Sequence, residues 1–304
     1  GSSGAVMTSK PEVVIVTGTN SGFGRLISET LARNNFVVFA TMRELHGRNA
    51  KAAGDLRELA RRTSQSLHVL ELDVTSDSSV DACVAEVLHT AGRVDVLINN
   101  AGFGYGCLTE TCTIEQTKKI FDTNVFGPMR TIRAVLPQMH KQHSGLLIQV
   151  SSGGGRLAIP GMGLYCASKF ALEALTETFH YELASQGIDC ISLQPGAYPT
   201  GIADKIAGGD DPGRANVYGA IREVPRRIIS QVAASKADPQ EVADKVLEII
   251  RMPAGQRPLR CRLGTGAGGV ETINEVCAKV QEQMVAAFGI KEETAFGSNV
   301  GRGR

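Results

Sequence analysis

Tyr165 and Lys169 are four residues apart and could together move a proton. On a helix, positions i and i+4 lie on one face, with their Cβ atoms about 5–6 Å apart. A free tyrosine hydroxyl titrates near ~10, and a positive charge close by favours the phenolate and lowers that pKa. Such a tyrosine can exchange a proton with an alcohol or a carbonyl oxygen. The same spacing also occurs in pairs on helix surfaces, so this interpretation depends on the rest of the chain.

A glycine-rich segment near the N-terminus has the context of a phosphate-binding turn. Val13–Val16 is a short β-branched run that predicts a buried strand, and it leads through TGTNSGFG at 17–24 into an amphipathic helix. Gly18 would allow the tight turn, Gly22 the close approach of a pyrophosphate, and Gly24 the packing of helix on strand. The helix N-terminus would offer unpaired N–H groups to the phosphate. We therefore expect a dinucleotide here; the alternative is an ordinary tight turn.

The end of the second predicted strand, 36–40, bears on which dinucleotide is bound. In such folds an acid at this position binds the ribose 2′-hydroxyl of NAD, whereas an arginine accommodates the 2′-phosphate of NADP. Met42 occupies the usual acid position, Arg43 follows it, and Glu44 comes slightly late. The sequence therefore favours NADP(H) and leaves NAD(H) open. The alternative for Arg43 is a solvated charge that begins the next helix.

Over residues 12–255 the chain resembles the short-chain dehydrogenase/reductase family. The resemblance rests on motifs in the family's order: the cofactor loop at 17–24, Leu72-Asp73-Val74 at the adenine, Asn99-Asn100-Ala101-Gly102 as its NNAG motif, Asn124 and Ser152 of its catalytic tetrad, and Pro195-Gly196 with Thr200 beside the nicotinamide. The runs VDVLINNAGFG and YCASKFALEALTE are most similar to the branch of 17β-hydroxysteroid and retinol dehydrogenases.

The resemblance implies hydride transfer between the nicotinamide and a carbinol or carbonyl carbon, with four catalytic residues. Tyr165 would exchange a proton with the substrate oxygen, and Lys169 would lower the Tyr165 pKa and hold the nicotinamide ribose. Ser152, 13 residues before Tyr165, would hydrogen-bond the substrate oxygen; this spacing favours it over the adjacent Ser151. Asn124 would order a water that connects Lys169 to solvent, or else cap or kink its helix.

The resemblance also implies a set of cofactor-binding residues. They are Gly18, Thr19, Asn20, Ser21, Gly22, Phe23, Gly24, Arg43, Asp73, Val74, Asn100, Ala101, Gly102, Tyr165, Lys169, Pro195, Gly196 and Thr200.

Strand and helix patterns alternate along the 304 residues, which predicts a single α/β domain with a Rossmann-like, doubly wound parallel sheet of about seven strands and helices on both faces. Ligands bind such sheets at the carboxyl ends of the strands. Further strands are predicted at 67–72, 94–98, 146–150, 188–193 and 259–263, and helices at 47–62, 77–90, 113–141, 163–186 and 238–251. Asp238 is expected to cap the last of these helices in a capping box with Glu241.

Residues 1–6 are interpreted as a remnant of the expression vector, and 7–264 as the dinucleotide-binding and catalytic domain. A long segment at about 197–235 is expected to be a lid that is mobile without ligand. Residues 265–304 form a C-terminal extension with a helix at about 270–288 and a disordered end.

The expected substrate is a small hydrophobic alcohol or carbonyl compound, because the candidate pocket walls are mostly apolar. These candidates are Leu157, Met162, Tyr198 and Tyr218, with Ile159, Ile202, Ile206, Phe103 and Tyr105 in support.

Composition excludes several other classes of protein. The formal net charge of +1 gives no electrostatic case for nucleic acid, and no apolar run reaches the ~18 residues of a membrane span. Seven scattered cysteines predict reduced thiols in the cytoplasm, without a disulfide framework, and neither they nor the histidines have metal-ligand spacing. The family resemblance implies a homodimer or homotetramer. The main alternative is a catalytically silent NADP-binding sensor or scaffold; a nucleotide-sugar dehydratase or epimerase is disfavoured by the glycine spacing.

Overall fold

Strands and helices alternate as predicted, and the computed structural model describes residues 9–200, 205–266 and 268–301. The strands are β1 Val13–Val16, β2 Val37–Met42, β3 Leu67–Glu71, β4 Val96–Asn99, β5 Gly104–Tyr105, β6 Gly145–Val150, β7 Ile188–Pro195, β8 Ile206–Ala207 and β9 Arg260–Leu263. The α-helices are α1 Gly22–Arg33, α2 Ala50–Thr63, α3 Asp77–Ala91, α4 Ile114–Phe121, α5 Gly127–Gln142, α6 Gly163–Ala184, α7 Val224–Ala233, α8 Gln240–Arg251 and α9 Gly269–Phe288.

Seven parallel strands form one sheet in the order β3-β2-β1-β4-β6-β7-β9. The order turns back between β1 and β4, where Val14 pairs with Val38 on one side and with Val96 on the other. In open α/β sheets this switch point is where a ligand binds, beyond the carboxyl ends of the strands. The predicted fold class is confirmed.

Helices cover both faces of the sheet because alternate residues of each buried strand point to opposite sides. Val14 and Val16 of β1 pack in one layer, whereas Val13 and Ile15 pack in the other. The first layer is completed by α1, α2 and α8, and the second by α3, α5 and α6. The second layer therefore includes α6, whose first turn contains Tyr165.

The prediction of one continuous helix over 113–141 is wrong. It is divided into α4 and α5 by a π-helical turn at Asp122–Phe126, in which the Gly127 amide donates to the Asp122 carbonyl. Pro128 has no amide hydrogen to donate to the carbonyl of Asn124, so the regular α-helical ladder cannot continue there. π-turns of this kind are frequent at functional sites, and this one contains Asn124.

The N-terminus of α8 differs from the predicted capping box. The Asp238 carboxylate accepts from the Gln240 amide at 2.9 Å, as a cap should. Glu241 does not accept from the Asp238 amide, as a capping box would require. Its carboxylate accepts a hydrogen bond from the Tyr198 hydroxyl at 3.0 Å instead. A distant residue has therefore replaced the local partner.

The C-terminal extension packs on the domain. Helix α9 lies along the edge strand β9, where Arg262 pairs with Glu271 at 3.2 Å. Beyond α9, the Gly297 amide donates to the Ala184 carbonyl at 2.8 Å, and the Asn299 amide to the Ser185 carbonyl at 2.9 Å. These backbone bonds contradict the expected disorder for 298–301; residues 302–304 lie outside the described residues.

Candidate active site

The glycine loop and the NNAG segment are bonded into one unit at the switch point. The Thr17 hydroxyl accepts from the backbone amides of Asn100 and Ala101, each at 3.0 Å. The Asn100 side chain donates in return to the carbonyls of Thr17 at 3.2 Å and Gly18 at 3.0 Å. The ends of β1 and β4 are thereby fixed relative to each other.

Two glycines of the loop have positions that no side chain could share. Gly18 has a φ of +66°, and a Cβ there would lie 2.8 Å from the Cα of Ala101. A Cβ on Gly24 would overlap the carbonyl oxygen of Gly18 and lie 2.5 Å from the Asn100 side-chain nitrogen. The glycines therefore set the close approach of loop, helix and strand that the sequence predicted.

A cavity of about 760 Å³ lies beside this unit. Of the predicted cofactor-binding residues, it is lined by Gly18, Asn20, Ser21, Arg43, Asp73, Val74, Asn100, Ala101, Gly102 and Thr200. It is also lined by residues that the sequence analysis did not select: Met42, Arg48, Asn49, Leu72, Thr75, Glu115, Gln116, Lys119, Thr123, Lys205, Ala207 and Asp210, with Phe103, Tyr105 and Ile206 of the supporting set.

At one end of the cavity, the residues after β2 present basic rather than acidic groups. Arg43 lines the cavity and forms no ion pair with a carboxylate among the described residues. The Glu44 carboxylate pairs with Arg48 at 2.9 Å, and its backbone amide donates to Glu71. Asn49 holds this turn by donating to the Arg43 carbonyl at 2.7 Å. Glu44, the competing acid, is thus engaged by a neighbour.

The catalytic candidates Ser152, Tyr165 and Lys169 do not line this cavity; they lie next to it, where β6 ends and α6 begins. Ser152 follows β6, and its hydroxyl oxygen accepts from the Gly154 amide at 3.0 Å. The Lys169 ammonium lies 5.7 Å from the ring centroid of Tyr165 and donates to the Val150 carbonyl at 3.0 Å. A Cβ on Gly104 would lie 3.2 Å from the Tyr165 ring, so the cavity-lining segment that contains Phe103 and Tyr105 abuts the tyrosine.

The pKa of Tyr165 is raised rather than lowered in the protein alone. Burial raises it, a hydrogen bond with the Ser152 side chain lowers it, and Cys166 raises it further. Burial also lowers the pKa of Lys169 to about 8, against the raising effect of Glu173. The expected lowering of the Tyr165 pKa by Lys169 is not found, because desolvation of the phenolate outweighs the lowering effect of Ser152.

Asn124 is buried in the π-turn and holds the segment after the NNAG motif. Its side-chain oxygen accepts from the Phe103 amide at 3.1 Å, and its nitrogen donates to the Phe103 carbonyl at 2.9 Å and to the Ser168 hydroxyl at 3.0 Å. A Cβ on Gly102 would lie 3.1 Å from Asn124 Oδ1 and 3.6 Å from Lys169 Nζ. The side chains of Asn124 and Lys169 therefore both lie next to Gly102, where a larger residue would contact them.

The remaining predicted cofactor residues of the loop and of the Pro195-Gly196 segment do not line the cavity. The Thr19 hydroxyl donates to the Thr41 carbonyl at 3.0 Å, and Phe23 packs edge-to-face on Tyr198. Pro195 ends β7, and the Gly196 amide donates to the Leu263 carbonyl at 2.7 Å. Gly22 has a φ of +57°, and the Lys205 ammonium lies 3.5 Å from where its Cβ would be. Lys205 was missed because no motif marks it.

None of the four predicted substrate walls lines the cavity. Tyr198 is 2% exposed in the core beneath α8, where its hydroxyl binds Glu241. The Tyr218 hydroxyl donates to the Glu110 carboxylate near the surface. Leu157 is exposed and Met162 is buried next to the start of α6, so both flank the helix that carries Tyr165. Ile202 lies outside the described residues.

The predicted lid is firmly joined to the domain from residue 205 onward. Strand β8 pairs in parallel with β5, and the Gly106 amide donates to the Ala207 carbonyl at 2.9 Å. Gln116 of α4 donates to the Gly208 carbonyl at 3.0 Å and accepts from the Asp210 amide at 2.9 Å. In this structure the segment is a wall of the cavity.

Similarity to characterised proteins agrees with this arrangement. The short chain dehydrogenase family matches residues 12–210. A 17-beta-hydroxysteroid dehydrogenase type 1 from Mus musculus is 36% identical over 252 residues, which are 80% of this chain and 71% of that protein. A retinol dehydrogenase 8 from Bos taurus is 33% identical over 273 residues, which are 85% of this chain and 83% of that protein.

Solved structures share the fold. A short-chain dehydrogenase/reductase from Burkholderia phymatum in complex with NAD superposes with a TM-score of 0.73 at 26% identity, over 90% of this chain and 95% of that one. An alcohol dehydrogenase from Thermococcus sibiricus complexed with 5-hydroxy-NADP has a TM-score of 0.66 at 26% identity, over 83% of this chain and 95% of that one. The chain belongs to the short-chain dehydrogenase/reductase family, and it is an oxidoreductase that acts on CH–OH groups with NAD(P).

Proposed function

We propose that this oxidoreductase interconverts a hydrophobic secondary alcohol and its ketone, or an aldehyde, with NADP(H) as the preferred cofactor. The observation that carries the proposal is the contact between the catalytic candidates and the cavity wall: a Cβ on Gly104 would lie 3.2 Å from the Tyr165 ring, and a Cβ on the cavity-lining Gly102 would lie 3.6 Å from Lys169 Nζ. The proton-transfer groups would then lie next to a cavity that can hold a dinucleotide.

The described residues fit a dinucleotide. Gly18 and Gly24 let the loop, the helix and the NNAG segment approach one another as in dinucleotide-binding turns, and Gly18, Asn20 and Ser21 of the loop line the cavity. Gly102, whose Cβ would lie close to Asn124 and Lys169, lines the same cavity near the catalytic candidates. When bound, the nicotinamide would supply or accept the hydride. Thr200 and Lys205 of the cavity wall would complete its site.

The side chains of the tetrad would handle the proton and the charge on the substrate oxygen. In reduction the Tyr165 hydroxyl gives its proton to that oxygen; in oxidation its phenolate accepts it. Ser152 donates a hydrogen bond to the same oxygen as negative charge develops there. Lys169, as an ammonium, stabilises the phenolate, and Asn124 keeps the neighbouring backbone in place and orders a water that connects Lys169 to solvent.

The preference for NADP rests on Arg43. Its guanidinium lines the cavity at the end of β2, while the Glu44 carboxylate is paired with Arg48. A 2′-phosphate would meet the Arg43 guanidinium, which pairs with no carboxylate among the described residues, and guanidinium–phosphate hydrogen bonds are among the strong ones.

The hydrophobic substrate class rests on apolar side chains near Tyr165. Phe103 and Tyr105 stack edge-to-face with centroids 5.4 Å apart, and Ile206 lines the same cavity. The relatives named for hydroxysteroids and for retinol support the same class.

A cofactor titration followed by a substrate panel tests the proposal. Steroid, retinoid and long-chain alcohols and ketones would be compared with sugars and hydroxy acids, with each of NADP(H) and NAD(H), by the absorbance of the reduced nicotinamide. We expect turnover of apolar compounds and a lower KM for NADP(H). Turnover confined to sugars or acids would refute the substrate class, and equal affinity for NAD would refute the cofactor preference.

We also propose a cytoplasmic homodimer or homotetramer. Phe126 and Phe170 are 52% and 45% exposed on the surface formed by the π-turn and α6, where a two-fold contact would bury them. All seven cysteines are free, as is usual in a reducing compartment. None of the described helices is both long and apolar enough to cross a bilayer. Light scattering that gives a 32.3 kDa species at micromolar concentration would refute the assembly.

A further inference from the structure

A buried carboxylate lies one helical turn beyond Lys169. Glu173 of α6 is 2% exposed. Its Oε1 accepts from the Ser192 hydroxyl at 2.6 Å and from the Gln194 side-chain nitrogen at 2.9 Å, both on β7. Its other oxygen, Oε2, has no hydrogen-bond partner among the described residues. A carboxylate is rarely buried so fully without a role for its charge.

Other polar atoms beside Glu173 are also buried without a partner in the described part of the chain. Ser151 Oγ is one of them, and a Cβ on Gly155 would lie 2.7 Å from it and 3.0 Å from Glu173 Cγ. Asn274 Oδ1 of α9 is another, while its side-chain nitrogen donates to Gln194 Oε1 at 2.7 Å. Buried polar atoms of this kind are usually bridged by ordered water. A continuous polar path thus leads from α9 through Gln194 to Glu173.

The same path reaches the catalytic lysine. Lys169 donates to the Val150 carbonyl, directly before Ser151, and a Cβ on Gly155 would also lie 3.1 Å from the Lys169 carbonyl oxygen. Glu173 is four residues after Lys169 on α6, so their Cβ atoms lie on one face of the helix, about 5–6 Å apart, and both residues are buried. A buried carboxylate so close favours the ammonium form of a lysine.

We propose that Glu173 is a positioning residue that keeps Lys169 protonated, and that Asn274 of the C-terminal extension fixes Glu173 in place through Gln194. The inference deepens the proposed function, on which it rests. It also assigns a task to α9, which lies outside the matched family segment.

The charged and titratable neighbours agree with this role. Burial lowers the pKa of Lys169 to about 8, and Glu173 opposes that effect. Burial raises the pKa of Glu173, against the lowering effects of its hydrogen bonds with Ser192 and Gln194 and of the Arg156 guanidinium. Tyr165 faces Lys169 from the preceding turn, and Cys277 of α9 accepts from Arg156 at 2.8 Å. Strand β7 contributes the uncharged side chains of Ser192 and Gln194, and Ser151 directly follows β6.

The sign of the effect follows from the charge. Without the negative charge of Glu173, the ammonium form of Lys169 is less stable, so the Lys169 pKa falls. The lysine then loses its proton at a lower pH than in the unmodified protein. A neutral lysine no longer stabilises the Tyr165 phenolate. The alkaline limb of the pH profile for kcat/KM should therefore move to lower pH, by about one unit for a charge at this range.

The test uses Glu173→Gln, whose side chain can keep the acceptor for Ser192 and Gln194. The Lys169 pKa would be read in the free protein from the ¹³Cε signal of labelled lysine, assigned with Lys169→Ala, and the pH profile of turnover would be read separately. We expect the Lys169 pKa and the alkaline limb of the pH profile to move to lower pH together. Glu177→Gln is the matched control: Glu177 lies one turn further along α6 and pairs with Arg156 and Arg260. It should lower stability without moving either curve.

An unchanged Lys169 pKa in Glu173→Gln would overturn the inference, even if the protein turns over its substrate normally. If the unmodified protein turns over none of the substrates, the proposed function is refuted. The effect of Glu173 on the Lys169 pKa can still be measured from the ¹³Cε signal. If Glu173→Gln does not fold, Asn274→Ala on the partly exposed α9 gives the same test. It should shift the Lys169 pKa in the same direction by a smaller amount, and no shift would count against the proposal.

Discussion

The N-terminal half of the site and its C-terminal wall are built in different ways. In the N-terminal half, residues of the two motifs position one another: Gly18 and Gly24 bring loop, helix and strand together, and the side chains of Thr17 and Asn100 bind the backbone of the facing motif. In the C-terminal wall, side chains position remote segments, as Gln116 does for residues 208–210. The first kind of geometry leaves a motif in the sequence, and the second does not.

Tyr165→Phe should give the largest effect and would separate the two regions by function. The variant removes one hydroxyl where they meet, so we expect kcat to fall by about 10²–10⁴, the usual contribution of general acid–base catalysis. Cofactor binding, set by the N-terminal half, should stay unchanged. Steady-state kinetics and a fluorescence titration with NADPH would measure both. Tyr181→Phe on the same helix is the control, and a Tyr165→Phe enzyme that keeps most of its activity would refute the assignment.

Arg43→Ala tests whether the N-terminal half selects the cofactor by charge. We expect the preference for NADP over NAD to fall by about 1.5–3 kcal/mol, the scale of a hydrogen bond to a charged group. Dissociation constants for both cofactors would measure it. Arg61→Ala, an exposed arginine of α2 paired with Glu58, should leave both constants unchanged. Loss of affinity for NAD and NADP alike would show that Arg43 serves the fold rather than the phosphate.

Gly24→Ala tests the claim that backbone proximity builds the N-terminal half. The new Cβ would overlap the Gly18 carbonyl oxygen, so we expect unfolding to become easier by about 1–3 kcal/mol, as for other overpacked sites, with weaker cofactor binding. Gly54→Ala is the matched control, because a Cβ in α2 would meet nothing within 4 Å. It should stabilise the helix by about 0.5–1 kcal/mol. Urea denaturation would measure the free energy of unfolding of both variants. Equal changes in the two would contradict the claim that close backbone packing at Gly24 builds this half of the site.

Gln116→Ala should give the smallest effect and tests the C-terminal wall. It removes the side-chain bonds to the Gly208 carbonyl and the Asp210 amide, each worth about 0.5–1.5 kcal/mol. We expect faster hydrogen exchange at 206–211 and a raised KM with little change in kcat. Gln138→Ala, on α5, should change neither. Exchange that is already fast in the unmodified protein, and slowed by ligand, would restore the mobile lid that the sequence predicted.

The parts that the sequence predicted correctly depend on local pattern. Val13–Val16 was predicted residue for residue, because a β-branched run before a glycine loop has few other outcomes. The alternation of strands and helices specified the parallel sheet. The pair of Tyr165 and Lys169 followed from helical spacing, and the structure has the two side chains together.

The parts that could not be predicted depend on distant partners. Glu241 would complete a local capping box, yet the hydroxyl of Tyr198, 43 residues away, takes its carboxylate. Asn124 lies in a π-turn because Pro128 interrupts the helical ladder and Phe103 offers both its amide and its carbonyl. The raised pKa of Tyr165 is a result of burial, which a spacing rule does not measure.

The edge strand β9 is protected against pairing with strands of other molecules, which matters in concentrated protein. An exposed edge of a sheet offers unpaired backbone groups to any other strand, and charged residues or a covering helix discourage that association. At β9 both devices are present: Arg260 and Arg262 alternate along the strand and bind Glu177 and Glu271, while α9 lies alongside. A chain shortened before α9 would therefore be expected to form β-sheet aggregates on storage, even under conditions in which its nucleotide cradle remains folded.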